Sequence, residues 1–180
     1  NAVQYIKDDV LYMNGNTTMI NGLDTLTCDS MIYWSKLDSA YAFNASVINP
    51  TRGIFGDEMI IQYEDAFIKE INVITNAFAY NDLNVRIAED GPFRRFRDEM
   101  SSRKMIAHFK DNEITQLELN YMARTLYHVI NDSLLVGNND ASGDSIRVDF
   151  TDGDIRRIQV IGCTLGEFKP EGNNTKIDTS

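Results

Sequence analysis

The sequence predicts an all-β protein built from a repeated strand unit, and three observations support this. A short apolar phrase that begins with a polar pair recurs along the chain. Its later copies alternate apolar and polar residues, which is the pattern of a half-buried strand. Each later copy leads through a polar turn into a second apolar run, so the unit is a hairpin that needs neighbours to bury its apolar face. The copies begin at Asp29, Asp57, Arg103 and Asp144.

The first third of the chain predicts short strands separated by polar turns. Turn chemistry occurs at Asn14-Gly15, Asn21-Gly22 and Lys36–Asp38, where Gly, Asn and Asp favour reversal of the chain. The expected strands are Val10–Met13, Thr17–Ile20, Thr25–Cys28, Met31–Trp34, Ala40–Phe43 and Ser46–Ile48.

The repeat units define which side chains face inward. In the last unit Arg147 and Asp149 alternate with apolar residues, so one face of the strand is apolar and the other polar. The following strand has apolar residues at 155, 158 and 160. This uneven spacing predicts one extra residue near the turn, accommodated as a β-bulge. The inward apolar residues are Met59, Ile61, Tyr63, Met105, Phe109, Ile146, Val148 and Phe150.

Two stretches interrupt the repeat. The longer one contains the basic run Phe93–Arg97, and we expect a loop or short helical insertion near 81–102. The second, Arg124–Asn139, predicts another strand pair, Thr125–Ile130 and Ser133–Val136. The chain has 180 residues, of which 43% are hydrophobic, and this suffices for one core. We therefore expect a single elongated domain over residues 1–170 and a polar tail over residues 171–180.

Charge and cysteine usage restrict the partners. The net charge is −10, and a field of that sign repels phosphate backbones, so nucleic acid is not an expected partner. Cys28 and Cys163 are expected to be separate thiols. If the strands stack in sequence order, these residues are several strand spacings apart, beyond the roughly 7 Å Cα separation that a disulfide allows.

No pattern of nucleophilic or metal-dependent catalysis occurs, and we expect no cofactor and no metal site. His108 and His128 are expected to face solvent from strands. A calcium site or a carboxylate pair for glycoside cleavage remains an alternative, drawn from Asp140, Asp144, Asp149, Asp152 and Asp154. The competing interpretation is structural, because Asp152-Gly153 is typical of a tight hairpin turn.

Two stretches contain strand sequences that are only loosely similar to each other but follow a characteristic order. One is Gly143–Gly162, which contains Asp-Ser-Ile-Arg-Val-Asp-Phe followed by Thr-Asp-Gly-Asp; the other is Val10–Asn16 leading to Leu26–Met31. In their order and number, these phrases resemble the OstA-like, or LptA-type, proteins of lipopolysaccharide transport, and the pattern extends from about Val3 to Pro170. The resemblance implies an elongated twisted β-jellyroll of two facing antiparallel sheets that is open at both ends.

The resemblance also implies a non-enzymatic function. Such proteins are periplasmic, bind lipopolysaccharide or a related glycolipid, and bridge the two membranes together with other β-jellyroll proteins of the same transport, or as end-to-end homo-oligomers. We expect any signal peptide to be absent from this chain, which starts at Asn1. The inward apolar residues named above would then contact acyl chains.

The basic segment has two interpretations. Arg94, Arg95 and Arg97 are candidates for phosphate contacts, because guanidinium groups match phosphate oxygens in geometry. The alternative is a loop that its phenylalanines hold against the sheet. For the whole chain, the alternatives to transport are a structural β-repeat scaffold without a lipid ligand and, after it, a carbohydrate-active β-helix enzyme.

Overall fold

The computed structural model describes residues 3–7, 9–111 and 113–171. Within these ranges the chain forms thirteen β-strands and no helix, which confirms the all-β prediction. The strands are β1 Val3–Lys7, β2 Val10–Asn21, β3 Asp24–Trp34, β4 Ser39–Ile48, β5 Arg52–Glu64, β6 Phe67–Thr75, β7 Ala77–Arg86, β8 Phe93–Ser102, β9 Lys104–Lys110, β10 Glu113–Asn131, β11 Leu134–Thr151, β12 Asp154–Ile161 and β13 Leu165–Pro170. All but the first residue of the predicted polar tail lies outside the described residues.

Several long strands are interrupted near their middle. In β2 the pairing with β3 shifts between Asn14 and Thr17, where Gly15 and Asn16 have φ of 84° and 48°. Glycine and asparagine tolerate this left-handed backbone, so the chain forms a bulge and continues in the same strand. The predicted turn at Asn14-Gly15 is therefore wrong, and the six short strands expected here form three long ones. The predicted turn at Asn21-Gly22 is confirmed.

The interruptions divide the strands into two facing antiparallel layers. The first layer has the order β1-β2-β3-β4-β5-β6-β9-β10-β11-β12. The second has the order β2-β3-β4-β5-β7-β8-β10-β11-β13. Six strands contribute to both layers, because each bends near its middle and crosses from one layer to the other. They are β2, β3, β4, β5, β10 and β11. Among the described residues, one parallel contact, Leu134 with Arg86, departs from this antiparallel pattern.

Two rows of apolar side chains run across the first layer, each residue opposite the next on the neighbouring strand. One row is Ala40, Ile61, Ile71, Ala107, Leu117, Val148 and Ile158. The other is Met31, Ala42, Met59, Val73, Met105, Leu119, Ile146 and Val160. Except for Ile158 and Val160, which end the two rows, every residue in them is at most 1% exposed. The rows form the centre of the core and supply most of its apolar burial.

The repeated hairpins have the local geometry that the spacing predicts. In the β11–β12 hairpin the register shifts between Asp149 and Phe150, which confirms the predicted bulge. The turn residues Asp152 and Gly153 have φ of 50° and 83°, as a two-residue hairpin turn requires. The β5–β6 and β9–β10 hairpins carry corresponding shifts. The bulges keep the apolar residues of both strands on the inner face.

The prediction of a loop or short helical insertion near 81–102 is wrong. Strands β7 and β8 pair over their whole length, from Ala77 opposite Ser102 to Arg86 opposite Phe93. The inner face of β8 carries the polar residues Asp98 and Ser102, both buried. These residues interrupt the apolar alternation, so the segment lacks the usual signature of a half-buried strand.

The second predicted interruption is a hairpin, as expected, but it is continuous with its flanking strands. Its two strands are the C-terminal part of β10 and the N-terminal part of β11, which pair as far as Asn131 opposite Leu134. Both cysteines are free, as predicted, with Cys28 buried and Cys163 exposed. Burial raises the pKa of the Cys28 thiol to about 11, which makes it a structural residue of the core.

Truncation of a residue in the two apolar rows should destabilise the protein strongly. Met105 is fully buried, so Met105→Ala should lower the free energy of unfolding by about 2–5 kcal/mol through lost burial and a cavity. The expected decrease in Tm is roughly 5–15 °C, measurable by circular dichroism. The matched control is Met122→Ala, because Met122 is 85% exposed and should change Tm little. Equal effects of the two substitutions would contradict the assignment of the rows as the core.

Candidate functional site

Opposite the bends, hairpin turns of the two layers approach each other along an edge that we term the seam. Among the residues that the structure describes, two hydrogen bonds between side chains and backbone carbonyls cross it. Asn21 Nδ2, at the β2–β3 turn, donates to the carbonyl of Ala66 at 2.6 Å. Arg52 Nη2, at the start of β5, donates to the carbonyl of Gly153 at 2.9 Å. The layers are therefore held together at the seam by a few polar contacts rather than by continuous backbone pairing.

Three cavities follow the seam between the layers. The N-terminal cavity, of about 360 Å³, is lined by residues that include Met19, Leu26, Val47, Tyr63 and Ile68. The middle cavity, of about 60 Å³, is lined by residues that include Val47, Ile54, Met100, Phe109 and Phe150. The C-terminal cavity, of about 240 Å³, is lined by Asn81, Leu83, Asp98, His128, Ile130, Asp154 and Ile155. Two of the three are thus mainly apolar spaces that reach from the core to the seam.

The inward residues predicted from the sequence divide into two groups. All eight belong to the core or pack against it. Tyr63 lines the N-terminal cavity, and Phe109 and Phe150 line the middle one. The other five, Met59, Ile61, Met105, Ile146 and Val148, lie in the central rows and line none of these three cavities. Contact of all eight with acyl chains stays a prediction, and the three aromatic residues have the most accessible positions.

The inner face of the second layer was missed by the sequence reasoning. Val47, Ile54 and Met100 lie there and line the cavities. The signal was present in part: Ser46 and Ile48 flank Val47 with a partly polar pattern typical of a strand. It was weak because these residues lie in parts of the strands outside the repeated phrase. Tyr63 is sufficiently enclosed between the layers that burial raises its pKa to about 12.

The basic segment lies on β8, and an acidic residue neutralises much of it. Arg95 and Arg97 both donate to the carboxylate of Asp82, with Arg97 Nε at 2.8 Å. The hydrogen bond from Arg97, and then that from Arg95, hold the pKa of Asp82 at about 2. Arg97 also stacks over the ring of Tyr80, 4.0 Å from its centroid. A phosphate at this site would have to compete with Asp82; contact of Arg94, Arg95 and Arg97 with phosphate stays a prediction.

The buried Asp98 on β8 links this strand to β10 in the second layer, where their backbone pairing ends. The pairing of these strands covers three residues and ends at Leu126 opposite Glu99. Beyond that point, Asp98 Oδ1 accepts a hydrogen bond from the backbone N–H of His128 at 2.8 Å and lies 2.9 Å from its Nδ1. Burial raises the pKa of Asp98, although the hydrogen bonds from His128 act in the opposite direction. The expectation that His128 faces solvent is wrong, since its side chain is 10% exposed.

The acidic residues near the β11–β12 turn are occupied by structural contacts. Asp149 accepts hydrogen bonds from Gln116, Arg147 and Arg157. Partial burial acts against ionisation, but the bonds from Arg147 and Gln116 prevail and lower the pKa of Asp149. Within the described residues, His, Cys, Asp and Glu do not form a group of three able to hold a metal ion.

Comparison with known proteins places the fold. No family model and no curated protein matches the sequence. Among solved structures, the chain is similar to the crystal structure of LptH, the LptA-homologous periplasmic component of the conserved lipopolysaccharide transport device from Pseudomonas aeruginosa. The TM-score is 0.52 and the identity 12%, over 77% of this chain and 93% of LptH.

The class defined by this architecture is a β-jellyroll of two facing antiparallel layers. More particularly, the chain has an LptA-like fold, as the resemblance in its repeated phrases implied. Where the structure describes the chain, it contains no helix long and apolar enough to cross a membrane. At this level of identity, the similarity establishes the fold, and function has to be argued from the site.

Asp82 predicts a specific acid sensitivity. Its pKa is about 2 in the folded protein and about 3.8 ordinarily, so the unfolded chain takes up the proton first as pH falls. The stabilisation is therefore complete above pH 3.8 and is lost as pH approaches 2. Asp82→Asn should lower the free energy of unfolding by about 1 kcal/mol at pH 7, or Tm by roughly 2–4 °C.

The measurement is thermal unfolding of both proteins at pH 7, 4 and 2.5. The difference between them should shrink below pH 4. Asp65→Asn is the matched control, because Asp65 lies exposed in the β5–β6 turn, where Asn also accepts the positive φ of 51°. A difference for Asp82→Asn that is independent of pH would contradict the role of the carboxylate.

Proposed function

We propose that this protein is a non-enzymatic carrier of lipopolysaccharide, or of a related glycolipid, across the periplasm of a Gram-negative cell. The observation that carries the proposal is the apolar space between two layers that are joined along one edge by their bends and along the other by a few hydrogen bonds. The similarity of the fold to LptH supports it. We further propose that residues 1–170 act as one jellyroll domain.

Acyl chains would enter through the seam and lie between the layers. Burial of a methylene group contributes about 0.8 kcal/mol, so a chain of a dozen carbons would gain roughly 8–10 kcal/mol if fully enclosed. Opening the two cross-seam hydrogen bonds costs only about 0.5–1.5 kcal/mol each. The glycan would remain in solvent outside the seam. Entry is favourable when this gain exceeds the cost of breaking those hydrogen bonds and of parting the apolar side chains that line the cavities.

The terminal strands support assembly end to end. Strands β12 and β13 each pair with β11 alone among the described residues, so each has an edge that can accept another strand. The two apolar rows end there at Ile158 and Val160, which are only partly buried. Another β-jellyroll protein, or a second copy of this chain, would continue both the sheet and the rows. The apolar path would then extend from one protomer to the next.

The alternatives receive less support from the geometry. A carbohydrate-active enzyme would use Asp149, Asp152 or Asp154, yet Asp149 is bound by two arginines and Asp152 forms the β11–β12 turn. A scaffold without a ligand would need no cavities at the seam. The lipid carrier accounts for the cavities, the weak closure of the seam and the open terminal edges together.

Photo-crosslinking tests the location of the lipid. A photoreactive phenylalanine analogue in place of Phe109 or Phe150, which line the middle cavity, should form adducts with lipopolysaccharide. The same analogue in place of Gln62 or Arg147, which are exposed on the outer face of the same layer, should give little or none. Adducts formed mainly from Gln62 and Arg147 would contradict the proposal.

Edge substitution tests the assembly. Leu165 on β13 is 77% exposed, and Leu165→Asp should weaken self-association, or association with another β-jellyroll protein, by placing a charge at the terminal edge. Sedimentation at several concentrations measures the effect. Leu37→Asp is the matched control, because Leu37 is 71% exposed in the β3–β4 turn. An equal effect of both substitutions would argue against contact through this edge.

A further inference from the structure

Arg52 has an unusual position at the mouth of the middle cavity. It begins β5 in the second layer, and its side chain spans the seam to the β11–β12 turn of the first layer. Its Nη2 donates to the carbonyl of Gly153 at 2.9 Å, and its Nε donates to Asn81 Oδ1 at 3.3 Å. Both acceptors are neutral. The guanidinium is thus held in place by two hydrogen bonds that leave its positive charge unpaired.

Other arginines of this acidic chain differ in this respect. Arg95 and Arg97 are paired with Asp82, and Arg124 with Asp140. In the described part of the chain, no ion pair involves Arg52. Asp24 lines the same cavity without forming an ion pair with it. Among the residues that line the three seam cavities, Arg52 supplies the only arginine or lysine.

The surroundings of Arg52 are amphipathic. On the core side of Arg52, the middle cavity is lined by apolar side chains, among them Val47, Ile54, Phe109 and Phe150. A guanidinium has five N–H donors, and the two hydrogen bonds to Asn81 and Gly153 use two of them. The remaining donors can bind the oxygens of a phosphate or carboxylate in a bidentate geometry. A fatty chain in the cavity would place an anionic group attached to it beside these donors.

We propose that Arg52 recognises the anionic headgroup, phosphate or carboxylate, of an amphiphile whose acyl chain enters the space between the layers through the middle cavity. The inference rests on the proposed function and deepens it by naming the residue that gives the seam a preference for anionic lipids. Arg94, Arg95 and Arg97 are not required for this role. The net charge of −10 disfavours anions elsewhere on the surface, so selection depends on this local cation.

The test compares two soluble amphiphiles with the same twelve-carbon chain, dodecyl phosphate and the neutral dodecyl maltoside, each below its micellar concentration. Displacement of the neutral dye Nile red reports their binding. The wild-type protein should bind dodecyl phosphate about fivefold or more tightly than dodecyl maltoside. Loss of the seam hydrogen bond affects both amphiphiles alike, so Arg52→Gln should reduce this preference to near unity by removing the cation, whereas Arg52→Lys should retain part of it.

Two controls accompany the variants. Arg103→Gln removes an exposed arginine between β8 and β9, on the edge opposite the seam, and should leave the preference unchanged. Inorganic phosphate at the same concentration should not displace the dye, because it lacks the chain. Displacement by inorganic phosphate as strong as by dodecyl phosphate would indicate a free-anion site and overturn the inference. Tm of the Arg52 variants within a few degrees of wild type verifies that they fold.

The remaining outcomes separate the two proposals. A preference that persists in Arg52→Gln, or a wild-type protein that binds both amphiphiles equally, would overturn the role of Arg52 while leaving the lipid carrier intact. If neither amphiphile displaces the dye from the wild-type protein, the cavities do not accept acyl chains. The proposed function and the inference would then both be wrong.

Discussion

The structure depends on two rows of apolar side chains that cross the first layer from strand to strand. Each residue in a row lies opposite one on the neighbouring strand, so the rows exist only if the register is maintained across the whole layer. A slip by one residue would turn an entire strand outward, because successive side chains point to opposite faces. The bulges beside the hairpin turns absorb the extra residue in each repeat and so preserve this register.

The bends convert one long sheet into an enclosed apolar space. Because six strands cross from one layer to the other, the bent edge is closed by covalent chain and backbone hydrogen bonds. In the described part of the chain, the seam has two hydrogen bonds in place of this closure, from Asn21 to Ala66 and from Arg52 to Gly153. This asymmetry makes the seam the more weakly closed of the two edges. The proposed entry of lipid depends on this asymmetry.

The sequence predicted the parts of the fold that rest on local patterns. Alternation identified the inward residues of the first layer, and the spacing around Asp152-Gly153 predicted both a turn and a bulge. Three features depend on contacts that no local pattern carries. Asp98 is stabilised on an inner face by hydrogen bonds from His128 and Asn81. Asn14-Gly15 forms a bulge because β2 continues its pairing with β3 beyond it. Arg52 meets Gly153 across 101 residues of sequence.

The central claim is that acyl chains reach the interior by separation of the seam, and a reversible lock tests it most directly. In a Cys163→Ser background, Asn21→Cys and Ala66→Cys would be joined by a short cleavable bis-maleimide, with two monofunctional maleimides as the control of equal bulk. Uptake of lipopolysaccharide would be measured by native mass spectrometry. We expect the joined protein to lose uptake and to regain it after cleavage. Uptake by the joined protein equal to that of the control would contradict the claim.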